Sequence, residues 1–212
     1  MSSYAFHSSY VAFLLAALAL AITPGPGIAY VVARTVAGGR AEGLASCLGT
    51  ALGGLVHVLA AALGISLLIA RSALAFSLVK YVGAAYLVFL GVRLLFKRGR
   101  EVDLPDVLAE GPRRAFRQGV LVEALNVKTA LFFLAFLPQF VSAAYPLATQ
   151  LVVLGSICVC LNTLVDVAAT FAADRLLRSA AVRAARARML TRVSGVTMLG
   201  LGTYLALASR EG

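Results

Sequence analysis

Residues 9–33 read SYVAFLLAALALAITPGPGIAYVVA. The stretch holds no charged residue, and it exceeds the roughly 20 apolar residues that a bilayer core asks of a spanning helix. Near its end stands Thr23-Pro24-Gly25-Pro26-Gly27. Two prolines remove two backbone donors and crowd the preceding turn, while two glycines permit dihedrals other residues avoid. A straight helix through these five residues is not expected. In lipid, each freed carbonyl is costly unless protein or water answers it, so the break points to an internal cavity. The half-helix that follows would aim free N–H groups and the positive end of its dipole into that cavity, a good seat for a carboxylate. Thr23, Pro24, Gly25, Pro26 and Gly27 are therefore candidate substrate-binding residues.

The rest of the 212-residue chain agrees with a membrane location. It is 61% hydrophobic and only 13% charged, with formal net charge +10 and mean hydropathy +0.92. A soluble domain would devote about a quarter of its residues to Asp, Glu, Lys and Arg. Six segments are long and apolar enough to span: residues 9–33, 43–70, 73–95, 119–142, 147–173 and 193–208. Their pattern is helical or uniformly apolar, without the short alternating strands of a membrane barrel. No Lys or Arg precedes the first segment, which also outlasts a signal-peptide core of roughly 7–15 residues, so it reads as a retained span. Arg71 and Ser72 are almost all that separates the second and third segments, a tight helical hairpin.

Charge placement orients the chain. Arg34 and Arg40 follow the first segment, Lys97, Arg98, Arg100, Arg113, Arg114 and Arg117 the third, and six arginines from Arg175 to Arg192 the fifth. The even-numbered loops carry only Arg71. By the positive-inside rule the basic loops face the cytoplasm and both termini face out. The basic stretches lack interleaved aromatics and read as topology determinants touching anionic lipid headgroups, not as nucleic-acid patches. Six helices divide into three plus three, and an odd number per half makes an inverted repeat: residues 1–96, a basic cytoplasmic loop at 97–118, and residues 119–212. Both halves open on an interrupted helix, the second through Glu123, Asn126, Lys128 and Pro138.

A charge in mid-membrane costs about 2.5–3.5 kcal/mol on insertion scales, and such residues mark pathways and relays. Asn126 and Lys128 are further substrate-binding candidates. Glu123, Asp166 and His57 are candidates for proton coupling, His57 because imidazole titrates near neutral pH. Glu123 and Asn126 share a helix face, as do Asn162 and Asp166. Lys128 is expected to pair with Asp166 across helices or to bind an anionic substrate group. Gly49 and Gly53 in the second segment, and Gly83 and Gly91 in the third, suit close helix packing. Cys47, Cys158 and Cys160 form no metal or disulfide pattern and read as small buried residues, Cys158 and Cys160 on opposite helix sides. No metal site and no cofactor are expected. HExxH, GxSxG, P-loop and dinucleotide signatures are absent, so the chain does not read as an enzyme, and any transport would draw on an ion gradient.

Thr23-Pro24-Gly25-Pro26, Gly83-Ala84-Ala85-Tyr86-Leu87 through Gly91, Leu125-Asn126-Val127-Lys128, and the run from Phe132 to Phe140 (FFLAFLPQF) resemble the lysine exporter family, the LysE/RhtB amino-acid exporters. The resemblance spans nearly the whole chain. It implies a multi-pass protein of a bacterial inner membrane that exports amino acids or their derivatives, driven by the proton gradient or membrane potential. Expected partners are a small-molecule substrate and membrane lipid, with association into a homo-oligomer left open. The pattern departs from the family at three places. Val127 stands where the family usually has proline, which weighs against a sharp break in the fourth helix. Glu123 stands where a neutral polar residue is expected, and Gly27 where asparagine is frequent. An ion or small-solute channel and a membrane-embedded scaffold subunit are the rival readings.

Overall fold

The computed structural model of the chain describes residues 3–65, 108–142 and 144–176, with scattered positions between 72 and 92 and between 196 and 203. The tight hairpin at Arg71, the third and sixth expected spans and most of the basic loops fall mainly outside the described residues. The described part is helical throughout: α1 (Ser3–Ile22), α2 (Pro26–Ala60) running into a π-helical turn (Ala61–Ile65), α3 (Pro112–Ala124), α4 (Val127–Ala135), a 3-10 turn (Leu137–Phe140) and α5 (Leu147–Leu176). By length and composition α2 with its π-turn and α5 can each cross a membrane, and the bent pair α3–α4 can form a third span.

Local chemistry sets the boundaries. Pro24 ends α1 because it offers no N–H and pushes the residue before it toward extended backbone. Thr23 closes the last turn, its hydroxyl donating to the Ala19 carbonyl at 2.7 Å. Gly25 is extended (φ −135°, ψ −172°) and Pro26 takes the first position of α2, where a missing N–H is no loss. The expected single span 9–33 is thus two helices. The helical backbone continues past residue 33, but α2 is itself two helices joined across a kink, which falls in the expected loop between the first and second spans. The only interruption within α2 is Gly39, at φ 73° and ψ −169°, a conformation that favours glycine. α3 begins at Pro112, earlier than the expected residue 119, behind Gly111 at φ 84°.

The fourth span is interrupted, as expected, and only the reading that Val127 weighs against a sharp break is corrected. Despite Val127 in place of proline, the chain bends by 44° between α3 and α4. Asn126 makes the break: its backbone is extended and its Oδ1 accepts from the Lys128 amide at 3.1 Å. An asparagine N-cap satisfies the donors that an uninterrupted helix would have satisfied.

The distribution of polarity is inside out. Leu15, Leu48 and Leu164 are 63%, 63% and 65% exposed, while Arg34, Glu42, Glu123, Lys128 and Asp166 are all buried. A soluble protein arranges these residues the other way, and in lipid this is the economical arrangement. In the apolar core Phe13 and Leu20 of α1 join Phe132, Phe133 and Phe136, with Leu151 and Leu154 of α5. The rings of Phe132 and Phe136 stack at 4.8 Å. Cys158 is buried and Cys160 exposed, so the opposite-side reading of that pair holds, and Cys160 is not the buried residue expected.

α2 packs along α3 and α5. Gly49 and Gly53 let the backbones of α2 and α3 touch. A Cβ at Gly49 would run into the Phe116 carbonyl and stand 3.1 Å from Gly119 Cα, and one at Gly53 would stand 2.5 Å from the Val120 carbonyl oxygen. These obstacles are backbone and cannot swing aside. Gly49→Ala is therefore expected to destabilise the protein by about 1–3 kcal/mol, seen as a lower melting temperature in detergent. An unchanged melting temperature would remove this contact from the packing account.

Candidate functional site

Each break frees carbonyls, and a buried side chain answers each. In an unbroken helix Leu20 O would accept from residue 24, but residue 24 is proline. Thr23 O would accept from Gly27, which lies beyond the break. The Lys128 ammonium donates to both, to Leu20 O at 3.1 Å, beside the Thr23 amide at 3.2 Å, and to Thr23 O at 2.8 Å. The expected pairing of Lys128 with Asp166 is corrected here: no ion pair joins them among the described residues, and Lys128 spends two of its three donors on the first helix's backbone. At the second break Glu123 O accepts from the Asn126 amide at 2.9 Å and meets His57 Nε2 at 2.8 Å. A carbonyl can only accept, so Nε2 carries the proton. His57 also rests on Phe133 with ring centroids 6.0 Å apart. The geometry gives it a packing and break-satisfying role.

The acids are held as closely. The Glu123 carboxylate accepts from Asn126 Nδ2 at 2.9 Å on one oxygen and from Thr129 Oγ1 at 2.6 Å on the other. Asp166 accepts from Thr50 Oγ1 at 2.9 Å. One cavity joins them. Gly27 and Ile28 of the first break, Thr50 of α2, Glu123, Asn126, Lys128 and Thr129 of the second break, and Asn162, Thr163 and Asp166 of α5 all line it. Its volume is about 20 Å³, room for about one water.

Most of the sequence candidates come together here. Gly27, Asn126, Lys128, Glu123 and Asp166 line the cavity, and the Asn162–Asp166 face points into it as their spacing implied. Thr23 reaches the group through its carbonyl, Gly25 through its contact with Lys128, and Pro24 and Pro26 by holding the break open. His57 stands behind Glu123 and is not among the lining residues. Thr50 and Thr129 were not expected. Neither carries a sequence signal, since a threonine in a membrane helix ordinarily bonds its own preceding turn.

A second buried polar group lies apart from this cavity. Arg34 of α2 donates to the Tyr30 hydroxyl at 3.2 Å and the Leu108 carbonyl at 3.1 Å, and also to Glu110 and Gln118. Glu42 approaches it at 3.6 Å and accepts from the Gly111 amide at 2.6 Å. In the sequence Arg34 reads as a topology charge only.

The comparisons bear on the whole chain. The model of the LysE type translocator family matches residues 18–209. An uncharacterized membrane protein of Vibrio cholerae serotype O1 is 30% identical over 94% of this chain and 97% of its own length. The uncharacterized membrane protein YrhP of Bacillus subtilis (strain 168) is 30% identical over 94% of this chain and 99% of its own. A homoserine/homoserine lactone efflux protein of Salmonella typhimurium is 31% identical over 69% of this chain and 71% of its own. No solved structure matches the chain.

Proposed function

The chain belongs to the LysE type translocator family, and from that premise we propose that it exports amino acids or close derivatives across the bacterial inner membrane, coupled to the proton gradient. It is a multi-pass membrane protein, and its family is one of translocators. The observation that carries the proposal is the shared cavity: two broken helices, one from each half of the chain, meet at a pocket holding an ammonium, two carboxylates and two amides. Discontinuous helices meeting inside a membrane are how many secondary transporters build a substrate site.

The proposed architecture has six spanning helices in a 3+3 inverted repeat, residues 1–96 and 119–212, joined by a cytoplasmic segment at 97–118, with both termini outside. Each described half opens on a broken helix and proceeds to a long one, which supports the repeat. In the site, the third donor of Lys128 and the backbone from Gly25 to Ile28 receive the substrate carboxylate. Glu123 and Asn126 receive its ammonium group. Glu123 and Asp166 are the coupling acids, because both face the cavity. A cavity with room for about one water does not hold an amino acid, so the cycle needs an opening on each side in turn.

Flux in proteoliposomes under an imposed pH gradient tests this. Homoserine belongs in the amino-acid panel, because the Salmonella relative is named for its efflux. Saturable flux that grows with the gradient is expected, reduced at least about tenfold by Asn126→Ala, the equivalent of about 1.4 kcal/mol. Unsaturable conductance would favour a channel, and no flux for any amino acid would overturn the substrate class.

A further inference from the structure

The two glycines of the first break each leave room for one charged side chain of the second. An ideal Cβ on Gly25 would stand 3.0 Å from Lys128 Cε and 3.1 Å from its Nζ. An ideal Cβ on Gly27 would stand 2.5 Å from Glu123 Oε2 and 3.9 Å from Thr50 Cγ2. Neither glycine is demanded by its backbone. Gly25 is extended at φ −135° and Gly27 is in the first turn of α2, where alanine is the better helix former. What both positions lack is space. Nor can the two charged ends withdraw freely: Lys128 Nζ is held by Leu20 O and Thr23 O, and the Glu123 oxygens by Asn126 and Thr129.

We propose that Gly25 and Gly27 are positioning residues that seat Lys128 and Glu123 side by side along the break, as a matched pair for the carboxylate and ammonium of one zwitterion. The site then reads the α-amino acid headgroup as two separate charges, through two separable positions. Lys128 has one donor left after the two carbonyls, and a carboxylate offers about four acceptor sites, of which Glu123 uses two. Each of the pair therefore keeps capacity toward the cavity that both line. An anion beside the first turn of α2 also suits the positive end of that helix. Glu123 supplies it, so at Gly27 the incoming charge is the ammonium. The substrate carboxylate is left to the Gly25 side, where Lys128 stands.

This inference rests on the export reading, and its test separates the two. Homoserine carries both charges, whereas homoserine lactone keeps the ammonium and lacks the carboxylate. In proteoliposomes the wild-type homoserine KM and the lactone's inhibition constant are measured first; where another amino acid of the panel is the one exported, it and its methyl ester take their places, and an absence of flux for every amino acid counts against the export reading and its headgroup site together. With wild-type flux in hand, Gly27→Ala is expected to raise both constants about tenfold, the loss of one charge-assisted contact. Gly25→Ala is expected to raise the homoserine KM about tenfold and leave the lactone constant within about twofold. Adding Glu123→Asp to Gly27→Ala, which shortens the acid by one methylene, is expected to recover part of the loss. Melting in detergent checks that each variant is folded. Should both glycine variants move the two constants alike, or lower only the maximal rate, the glycines are structural and the two-charge assignment is overturned.

Discussion

Lys128→Met is expected to abolish measurable export and to lower the melting temperature in detergent by about 10 °C. The side chain is buried and donates to the two carbonyls freed by the first break. Methionine fills much of the same volume but donates nothing. Thr23 O then loses its side-chain partner, and the nearby carboxylates of Glu123 and Asp166 lose their cation. Removing one partner from a buried charged group costs about 3–5 kcal/mol, and for a chain of this size each kcal/mol moves the midpoint by about 2–4 °C. Lys128→Arg is expected to fail as well. The guanidinium is wider than an ammonium, and the two carbonyls that the ammonium serves stand only 3.1 and 2.8 Å from it. Adding Glu123→Gln to Lys128→Met separates the two roles: the melting temperature is expected to recover in part while flux stays lost. Recovery of both would make Lys128 a counter-ion and nothing more. Retention of both in the single variant would remove it from fold and site alike.

The position of Lys128 also shows where the sequence was legible and where it was not. The first break could be read directly, because two prolines delete specific hydrogen bonds wherever the helix happens to sit. The shared face of Asn162 and Asp166 could be read too, because helical spacing is local. The partner of Lys128 could not. Sequence offers opposite charges as partners and does not display which carbonyls a break will free, so Asp166 looked the better choice than Leu20 O and Thr23 O. The second break was obscured for a related reason. The polar cluster and Pro138 announce an interruption, but without proline at 127 its sharpness is not visible, and the residue responsible, Asn126, resembles a ligand more than a cap. It is both a cap and a lining residue. The two departures from the family pattern at 27 and 123 looked independent along the chain. In space they touch: the carboxylate of Glu123 occupies room that a side chain at 27 would need.

Arg34→Ala is expected to be the most damaging single change outside the cavity, by about 3–5 kcal/mol. Arg34 is 3% exposed and ties α2 to the segment leading into α3, through Leu108 and Glu110, and to α3 itself, through Gln118. Behind it lies Glu42, whose Oε2 is buried and has no hydrogen-bond partner among the described residues. Arg34 at 3.6 Å is the cation that offsets it. With alanine at 34, Glu42 is left as an unpaired charge, so Arg34→Ala/Glu42→Gln is expected to be more stable than Arg34→Ala alone. Arg34→Lys is expected to restore little, because one ammonium does not reach the four directions that the planar fork serves. The same network has a pH signature through Glu110, which lies outside the spanning helices. The hydrogen bond from Arg34 holds its carboxyl below the usual carboxylate range, and the charge of Arg114 adds to this. A depressed folded value means that the contribution is complete above the ordinary carboxylate pKa and is lost as pH falls through the lowered value. Wild-type melting should therefore fall on acidification within that window. In Glu110→Gln the fall should be smaller, because the group that titrates is gone. Melting in detergent across an acid pH series measures both. An Arg34→Ala protein that melts like the wild type, or a Glu110→Gln protein with the wild-type acid limb, would show that the tie between α2 and α3 is held elsewhere.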